Sequence, residues 1–288
     1  MYWNAQGILS KKEFLEFVNT NNPDIIALQE TFLRPCNDFN IPNYSTYRTD
    51  RLSHRGGSTA ICIKNSIPHH EITIQTNSIN NTAINIENGT ETVTICSIYR
   101  PPKINDPNMI PDLRKIFLNK NICLAIGDYN AKHHSWNPGR RQNAHGNRIY
   151  KFAHTFGLDL ITPTTFTRYP TNENHYPSTI DFGISKGLTD SSVTVKNELS
   201  SDHDPLLFQI NLKNFIPSRN NYRRFTNWQK FQNIVKEIIP GNPIINNTEE
   251  IENHVNNFIE TIQTAIDQSS VGKLITHSPP GANQKHHP

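Results

Sequence analysis

The most informative stretch of this sequence is Ile122-Cys123-Leu124-Ala125-Ile126-Gly127-Asp128-Tyr129-Asn130. Its apolar run is too short for a helix and passes directly into acid and amide groups, which predicts a buried strand that ends at solvent. The same pattern occurs at Trp3-Asn4 and at Gln29-Glu30, and Ser201-Asp202-His203 stands just before another apolar run. Four polar motifs at four strand ends predict one shared site.

The composition of the chain is compatible with one large α/β domain or two smaller ones. It has 288 residues, 35% of them hydrophobic, and a formal net charge of +3, which permits a nucleic-acid partner without requiring one. No apolar run approaches the ~20 residues of a membrane span, so we expect no membrane partner. Four cysteines are widely spaced, which argues against a zinc site or a disulfide framework and favours a reducing compartment, the nucleus or the cytoplasm.

Apolar runs alternate with helical patterns along the first 212 residues. Strand-like runs lie at 25–28, 58–63, 71–75, 82–87, 92–99, 122–126, 158–160, 179–185, 192–197 and 205–211. Capping-box spacing at Ser10-Lys11-Lys12-Glu13 predicts that a helix begins there, and further helices are expected near 109–119 and 143–156. Helical crossovers mixed with consecutive strands predict an α/β fold with two packed sheets and the helices outside.

The character of the chain changes after about residue 213. Asn and Pro become frequent, three arginines make the stretch basic, and helical patterns follow near 227–239 and 248–270. The longer pattern carries an apolar stripe that needs a partner. We therefore expect one domain over residues 1–212 and a linker with a helical tail over residues 213–288.

The strand-end residues match the requirements of phosphodiester hydrolysis. This reaction needs a neutralised phosphate, an activated water and a stabilised leaving oxygen, and Mg²⁺ prefers hard oxygen ligands with few carboxylates. Glu30 is a candidate metal ligand, Asn4 can add an amide oxygen, and Asp202 adds a nearby carboxylate. Asp202 also has a structural interpretation, because an Asp before His203 readily forms an Asx-turn.

Asp128 and Asn130 are candidates for handling the attacking water. They alternate with Tyr129, so in a continuing strand they point to one side while Tyr129 points to the other. Asp128 would then orient or deprotonate the water, and Asn130 would hold Asp128 and a phosphate oxygen. The alternative is an ordinary turn after the strand, since both residue types are disfavoured within strands.

Asp181 and His203 are expected to form a charge-stabilising pair. Asp181 interrupts an otherwise apolar strand, and a lone buried carboxylate is costly unless it is paired. Pairing with His203 fixes the imidazole tautomer and sets a positive charge against the phosphate. The alternative is a core hydrogen bond without catalysis. Tyr99 ends its strand and can donate its hydroxyl to phosphate, although an ordinary strand aromatic is an equal alternative.

An ordered set of motifs resembles the endonuclease/exonuclease/phosphatase superfamily. In chain order the motifs are Trp3-Asn4, Gln29-Glu30-Thr31, Tyr99-Arg100-Pro101-Pro102, Gly127-Asp128-Tyr129-Asn130, Thr179-Ile180-Asp181-Phe182 and Ser201-Asp202-His203. Each is weak alone, and their order and spacing across residues 1–212 carry the resemblance. The resemblance implies a deoxyribonuclease-like, four-layered α/β sandwich of two packed mixed sheets with outer helices. It also implies a Mg²⁺-dependent phosphodiesterase, with Mn²⁺ as an alternative ion.

Flanking segments resemble the endonuclease of jockey-like non-LTR retrotransposons. These segments are 55–61, 99–102, 130–136, 140–146 and 163–167. In that family the domain nicks double-stranded chromosomal DNA, and the freed 3′-hydroxyl primes reverse transcription of the element RNA by a C-terminal polymerase. The resemblance implies that residues 213–288 form the linker before such a polymerase.

The resemblance also assigns roles position by position. Asn4 and Glu30 would form the metal side of the site with Asp202 nearby, while Thr165 and Ser201 would contact phosphate. Tyr99, Asp128 and Asn130 would arrange phosphate and water, and Asp181 with His203 would stabilise charge. Candidate DNA contacts come from two arginine-rich segments, since guanidinium groups bind phosphates as bidentate forks; they are Arg55, Arg140 and Arg141.

Two other functions stay open. The first is another activity of the same superfamily, such as an abasic-site nuclease or a phosphatase for a small phosphoester. The second is an inactive nucleic-acid-binding relic. The arginine-rich segments favour a polyanionic substrate but do not separate plain from damaged DNA, and the complete set of acid, amide and imidazole groups argues against decay of the site.

Overall fold

Two six-stranded β-sheets, called sheet I and sheet II, form the framework of the chain. The structure is a computed structural model and describes residues 1–51, 57–88, 91–102, 106–139, 141–172, 174–212, 222–238, 241 and 247–274. The chain divides into two units, Met1–Ser218 and Arg219–Pro288, and both sheets lie in the first unit.

Sheet I brings the start of the chain beside the last strand of the first unit. In spatial order its strands are β11 (Thr189–Val195), β12 (Leu206–Asn211), β1 (Tyr2–Asn4), β2 (Ile25–Gln29), β4 (Thr59–Lys64) and β3 (Tyr44–Thr49). β1 runs parallel to β2 and antiparallel to β12. Asn4 therefore lies beside Gln29 at one end of sheet I.

Sheet II contains the stretch at residues 122–130. In spatial order its strands are β5 (His69–Ile72), β6 (Asn80–Asn88), β7 (Glu91–Tyr99), β8 (Ile122–Asp128), β10 (Asp181–Lys186) and β9 (Asp159–Ile161). β7 and β8 are parallel, and the helix α2 (Met109–Phe117) makes the crossover between them. A parallel pair requires such a crossover because its two strands start at the same end of the sheet.

Helices cover the outer faces of the two sheets. Three apolar clusters separate the layers: α1 (Glu13–Asn21) packs on sheet I, the two sheets pack on each other, and α2 with α3 (Ala144–Phe156) packs on sheet II. Trp3 of β1 stacks on Phe14 of α1 with ring centroids 5.8 Å apart. The predicted four-layered sandwich is therefore confirmed.

One local prediction was wrong, and one strand was not predicted. Ser10 does not cap a helix: it closes a short 3-10 helix at Ile8–Ser10, its hydroxyl donates to the Gly7 carbonyl, and α1 begins later with no side-chain cap. β3 was not predicted, because Tyr44–Thr49 is a half-buried edge strand. Polar residues on an edge strand hide the alternation by which a strand is recognised in sequence.

The second unit is small and mixed. β13 (Tyr222–Thr226) pairs antiparallel with β14 (Ser270–Leu274), and α4 (Trp228–Ile238) and α5 (Thr248–Ser269) lie between them in the chain. Both helices were predicted, whereas the strand pair was not. Even the closest pair in sequence, Thr226 with Ser270, is separated by 44 positions along the chain. No local pattern therefore signals this pairing.

The four cysteines, Cys36, Cys62, Cys96 and Cys123, are free thiols, and only Cys36 is exposed. Of the helices in the described ranges, none is both long and apolar enough to cross a bilayer.

Candidate active site

The predicted site residues meet where the strands of both sheets end. In sheet II, Tyr99, Asp128 and Asp181 stand side by side on three neighbouring strands, in register. In sheet I, Asn4 ends β1 and Glu30 follows directly after β2. The ends of the packed sheets bring these groups together, although up to 177 residues separate Asn4 from Asp181 in the chain.

Asn4 links the two sheets at the site. Its side chain is fully buried, and its amide nitrogen donates to Glu30 Oε1 at 3.3 Å and to Asp128 Oδ2 at 3.1 Å. Glu30 also accepts a hydrogen bond from the Tyr99 hydroxyl. The amide oxygen of Asn4 is buried and has no hydrogen-bond partner among the described residues.

The segment after Asp128 is a turn and not a continuing strand. β8 ends at Asp128, and Asn130 has a left-handed φ of 46°. The Asn130 amide donates to Asp128 Oδ1 at 2.9 Å, and its side-chain nitrogen donates to the Arg100 carbonyl at 2.9 Å. The expectation that both side chains point to one side of a strand is therefore corrected: Asn130 holds Asp128 through its backbone, while Tyr129 turns into the core as predicted.

Arg100 fastens this turn to the end of β7. Its buried guanidinium donates to the carbonyl of Tyr129 at 2.6 Å and to that of Asn130 at 2.9 Å. It also lies 3.8 Å from the carboxylate of Asp106. Because a left-handed Asn is strained relative to an ordinary turn, these bonds hold a conformation that the local sequence alone does not secure.

Asp181 is surrounded by three donors. His203 Nδ1 lies 2.9 Å from both carboxylate oxygens, Thr167 Oγ1 donates at 2.6 Å, and the Tyr2 hydroxyl donates from sheet I. The predicted pair of Asp181 and His203 is thus present in the structure and fully buried.

The other motif residues at 201–203 orient His203. The Ser201 hydroxyl donates to the Asn4 carbonyl at 2.8 Å and accepts from the His203 amide at 3.2 Å. Asp202 forms an ion pair with Arg168 at 3.0 Å, and its other oxygen lies 3.5 Å from His203 Nε2. Among the described residues the contacts of Asp202 are therefore on the histidine side of the site.

Burial and the neighbouring charges shift the pKa values of Asp128 and His203. Burial, reinforced by the charge of Asp181, raises the pKa of Asp128 to about 7, although His203 acts in the opposite direction. Burial alone would lower the pKa of His203, but Asp181, Asp128 and Asp202 together raise the pKa of its imidazole to about 9. At neutral pH the site therefore holds a protonated imidazole beside a carboxylate that can gain or lose a proton.

Three buried groups can hold a divalent ion. Ligand atoms of Asp128, Asp181 and His203 lie within 4.8 Å of one another, so this cluster fits a divalent metal site. His203 Nδ1 is already committed to Asp181, whereas the amide oxygen of Asn4 has no partner among the described residues. An oxygen-preferring cation is therefore best served on the Asn4 side of the cluster.

Not all predicted contact residues lie at this cluster. Thr165 is exposed, and its backbone oxygen accepts from Thr179 at 2.9 Å. Arg141 is also exposed and lies 3.5 Å above the ring of Tyr176. Arg55 and Arg140 lie outside the residues that the structure describes.

Two arginines of the arginine-rich segments, which span residues 48–55 and 140–148, serve the fold itself. Arg48 donates to the Asn37 carbonyl and pairs with Asp50 at 3.2 Å. Arg148 donates to the Asp106 carbonyl at 2.7 Å. The arginine count of these segments therefore overstates the charge that they offer to a polyanion.

Sequence reasoning missed four residues that build the site. Arg100 stands within the Tyr-Arg-Pro-Pro motif, which was a usable signal. Thr167 lies in a segment that carried the resemblance, but nothing in its neighbours suggested a contact with Asp181. Tyr2 and Arg168 gave no local signal, because their partners lie 179 and 34 residues away.

Comparisons with known proteins add a family context. Residues 93–207 match the family model described as "Endonuclease-reverse transcriptase". The chain is 32% identical over 213 residues, 71% of this chain and 23% of the relative, to the RNA-directed DNA polymerase from mobile element jockey of Drosophila melanogaster. It is 27% identical over 274 residues, 92% of this chain and 30% of the relative, to the probable RNA-directed DNA polymerase from transposon X-element of the same species. The chain thus spans less than a third of these curated relatives.

Solved structures share the fold. The endonuclease domain of TRAS1, a telomere-specific non-LTR retrotransposon, superposes with a TM-score of 0.59 at 18% identity, covering 74% of this chain and 97% of that domain. The AP endonuclease LMAP from Leishmania major superposes with a TM-score of 0.58 at 12% identity, covering 73% of this chain and 87% of that enzyme. At 18% and 12% identity these superpositions show a shared fold and nothing further.

Proposed function

We propose that the chain is a metal-dependent endonuclease that hydrolyses one strand of double-stranded DNA, from the premise that residues 93–207 match the endonuclease–reverse transcriptase family model. One observation carries the proposal: the Asp128 carboxylate and the His203 imidazole are buried together, with His203 Nε2 3.9 Å from Asp128 Oδ2. Such a pair supplies the two opposite functions that phosphodiester hydrolysis needs.

Asp128 is the proposed base for the attacking water. Its pKa near 7 suits general base catalysis at neutral pH, where the group must both accept and release a proton. The amide of Asn130 fixes one carboxylate oxygen and the amide of Asn4 fixes the other. Lone pairs that these two bonds leave free are available to orient the water.

His203 is the proposed stabiliser of the charge that develops on the phosphate. Asp181 accepts hydrogen bonds from three donors, of which His203 is one, and together with Asp128 and Asp202 it raises the pKa of the imidazole to about 9. The Nε2 edge of the ring faces Asp128 and Asp202 rather than Asp181. Tyr99 lies instead on the metal side of the site, where its hydroxyl donates to Glu30.

The Glu30 carboxylate and the Asn4 amide oxygen are the proposed holders of Mg²⁺, with Mn²⁺ as a substitute. The unpartnered oxygen of Asn4 supports this assignment, because Mg²⁺ takes neutral oxygens together with one or two carboxylates. When bound, the ion would neutralise phosphate charge. Asp202 is proposed to add negative charge nearby while it stays paired with Arg168.

The names and lengths of the relatives support a proposal for the substrate and its context. They are named as RNA-directed DNA polymerases of transposons and are more than three times as long as this chain. We propose that the nick leaves a 3′-hydroxyl that primes reverse transcription of the element RNA, with residues 213–288 leading towards the polymerase segment. Thr165, Ser201, Arg141, Arg55 and Arg140 are proposed contacts to the DNA phosphates, and the nucleus is the proposed place of action.

Plasmid nicking tests the proposal directly. Purified protein with Mg²⁺ should convert supercoiled plasmid to open circles, and EDTA should abolish the conversion. Asp128→Asn should reduce the rate by about 10²-fold or more, since it removes the base. The matched control is Asp159→Asn, because Asp159 is an exposed acid of the same sheet.

The product and the substrate range separate the alternatives. A DNA polymerase should extend the nicked plasmid without prior phosphatase treatment, because extension requires a free 3′-hydroxyl. Faster cleavage of an oligonucleotide with an abasic site than of intact duplex would favour a repair nuclease. Faster turnover of a small phosphomonoester would favour a phosphatase, and absence of any turnover with Mg²⁺ or Mn²⁺ would favour an inactive relic.

A further inference from the structure

Lys132 is a half-buried lysine that forms no ion pair with any residue in the described ranges. Burial lowers the pKa of its ammonium, and the charges of Arg168 and Arg141 lower it further. Both arginines therefore lie near Lys132. A lysine side chain ordinarily carries its ammonium into water, and like charges repel. Three cations held together in this way are unfavourable unless an anion joins them.

The backbone of Lys132 is fixed beside the turn that follows Asp128. The Lys132 amide donates to Asn143 Oδ1 at 3.2 Å, and its carbonyl accepts from the Asn143 amide at 2.9 Å. The Asn143 side chain also donates to the carbonyl of Asn130, whose amide holds Asp128. A Cβ added at Gly146 would lie 1.9 Å from the Lys132 carbonyl oxygen, so α3 packs directly on this segment. Lys132 therefore lies next to the proposed base.

Arg168 lies on the His203 side of the site. Its backbone forms a bridge with His203, and the neighbouring Thr167 donates to Asp181 at 2.6 Å. Arg168 Nε pairs with Asp202 at 3.0 Å, and the side chain is partly exposed. Its two terminal nitrogens make no hydrogen bond to another described residue. They are therefore free to bind phosphate oxygens as a bidentate fork.

Arg141 is held by stacking on an aromatic ring. Its Cζ atom lies 3.5 Å from the centroid of the Tyr176 ring. Its carbonyl accepts from Asn137 at 2.9 Å, and the side-chain oxygen of Asn137 accepts from the Thr179 amide at 3.1 Å. Stacking occupies one face of the guanidinium and leaves the N–H groups at its edge free. A guanidinium that is already held in place loses less conformational entropy when it binds an anion.

We propose that Lys132, Arg141 and Arg168 form a second phosphate subsite, which binds the phosphate next to the scissile phosphate on the same DNA strand. The three positive charges face one paired carboxylate and border the proposed base and the proposed imidazole. This inference rests on the proposed function, because it takes the scissile phosphate to lie at Asp128 and His203. The subsite favours a phosphate within a strand over a small phosphomonoester, since only a strand fills both positions.

The salt dependence of duplex binding tests the subsite without catalysis. Fluorescence anisotropy of a labelled DNA duplex in EDTA gives the association constant over a series of KCl concentrations. Lys132→Gln should reduce the slope of log K against log[KCl] by about 0.9, the value of one phosphate contact. Lys132→Arg should restore the slope because it restores the charge. The matched control is Lys151→Gln, at an exposed lysine of α3, which should leave the slope unchanged.

A small ligand tests the position of the subsite. Thymidine 3′,5′-bisphosphate carries two neighbouring phosphates of a strand, whereas the 3′- and 5′-monophosphates of thymidine carry one each. Calorimetry with Mg²⁺ should show that the bisphosphate binds the unaltered protein about tenfold or more tightly than either monophosphate, since charge-assisted contacts are added. Lys132→Gln should lower this preference about threefold or more, and Lys151→Gln should keep it.

Two outcomes would overturn the proposal. In the first, Lys132→Gln changes neither the salt slope nor the preference for the bisphosphate, or lowers only the Tm, which would assign Lys132 to the packing of α3. In the second, Lys132→Gln and Lys151→Gln have equal effects, which would indicate general surface charge. Failure of the proposed function gives a different result: plasmid is not nicked, while the salt slope and the bisphosphate preference still depend on Lys132.

Discussion

Asp181 shows how single residues at the site depend on one another. Three side chains from three different segments, Tyr2, Thr167 and His203, donate to one buried carboxylate. The charge of Asp181 is in turn the first of the three carboxylate charges that raise the pKa of His203. The protonation state of the imidazole is therefore a property of the whole group.

His203→Gln should lower the nicking rate by about 10²-fold or more, because an amide replaces the positive charge against the phosphate. The measurement is the initial rate of open-circle formation with Mg²⁺. His154→Gln is the control, since His154 is exposed on α3. Equal rates for His203→Gln and the unaltered protein would remove His203 from the proposed mechanism.

Folding stability should also report the charge of His203. Its pKa is raised from 6.5 to about 9, so its stabilising contribution is complete below about pH 6.5 and is lost as the pH rises through about 9. In EDTA, the difference in unfolding free energy between the unaltered protein and His203→Gln should therefore shrink between pH 8 and 9.5 (roughly the upper part of that window).

Two other groups constrain the design of that experiment. The Met1 ammonium, whose pKa is lowered to about 5, changes the free energy of unfolding in the opposite direction between about pH 5 and 8. Asp128, whose pKa is raised to about 7, changes the free energy of unfolding below about pH 7. Urea unfolding above pH 8 avoids both windows. His134→Gln, at an exposed histidine, should leave the pH dependence as it is in the unaltered protein; a difference that stays constant with pH for His203→Gln would contradict the prediction.

Secondary-structure elements position the site through their ends. Asn143 caps α3, since its side-chain oxygen accepts from the Gly146 amide at 2.8 Å. The same side chain accepts from the Lys132 amide at 3.2 Å and donates to the Asn130 carbonyl at 3.2 Å. One cap therefore fastens both a helix and the turn that follows Asp128.

Asn143→Ala should cost about 1–2 kcal/mol of unfolding free energy and also slow nicking, because it removes the cap and a bond to the Asn130 segment. Urea unfolding and plasmid nicking measure the two effects. Asn247→Ala removes an equivalent cap from α5 in the second unit and should leave nicking unchanged. If both variants slow nicking equally, the cap of α3 has no special connection to the site.

β7 and β8 approach each other closely beside Asp128. A Cβ added at Gly127 would lie 2.0 Å from the Ile98 carbonyl oxygen. Gly127→Ala should therefore destabilise the protein by about 2 kcal/mol or more, because backbone and not a flexible side chain must move. Gly139→Ala meets only the Phe166 ring, at 3.8 Å, and should change stability by less than about 0.5 kcal/mol. Thermal or urea unfolding compares them, and equal losses would contradict the assignment.

At the scale of the whole molecule, the chain separates into a unit that contains the site and a unit that does not. All three apolar clusters and every described site residue lie within Met1–Ser218. A protein that ends at residue 218 should therefore retain cooperative unfolding and the nicking rate of the full chain. Loss of the unfolding transition in the shortened protein would show that the first unit needs residues 219–288.

Local patterns in the sequence determined most elements and the identity of the polar groups. The helices at 143–156 and 248–270 and the strand ends at Asp128 and Asn4 follow from periodicity and from abrupt changes of polarity, which act over a few residues. The tertiary structure alone decided the turn at Asn130, the donation from Tyr2 to Asp181 and the commitment of Arg48 and Arg148 to the fold. Such contacts join residues that are far apart in the chain or that are brought together by a turn. Their energies depend on how the two sheets pack, so no short stretch of sequence predicts them.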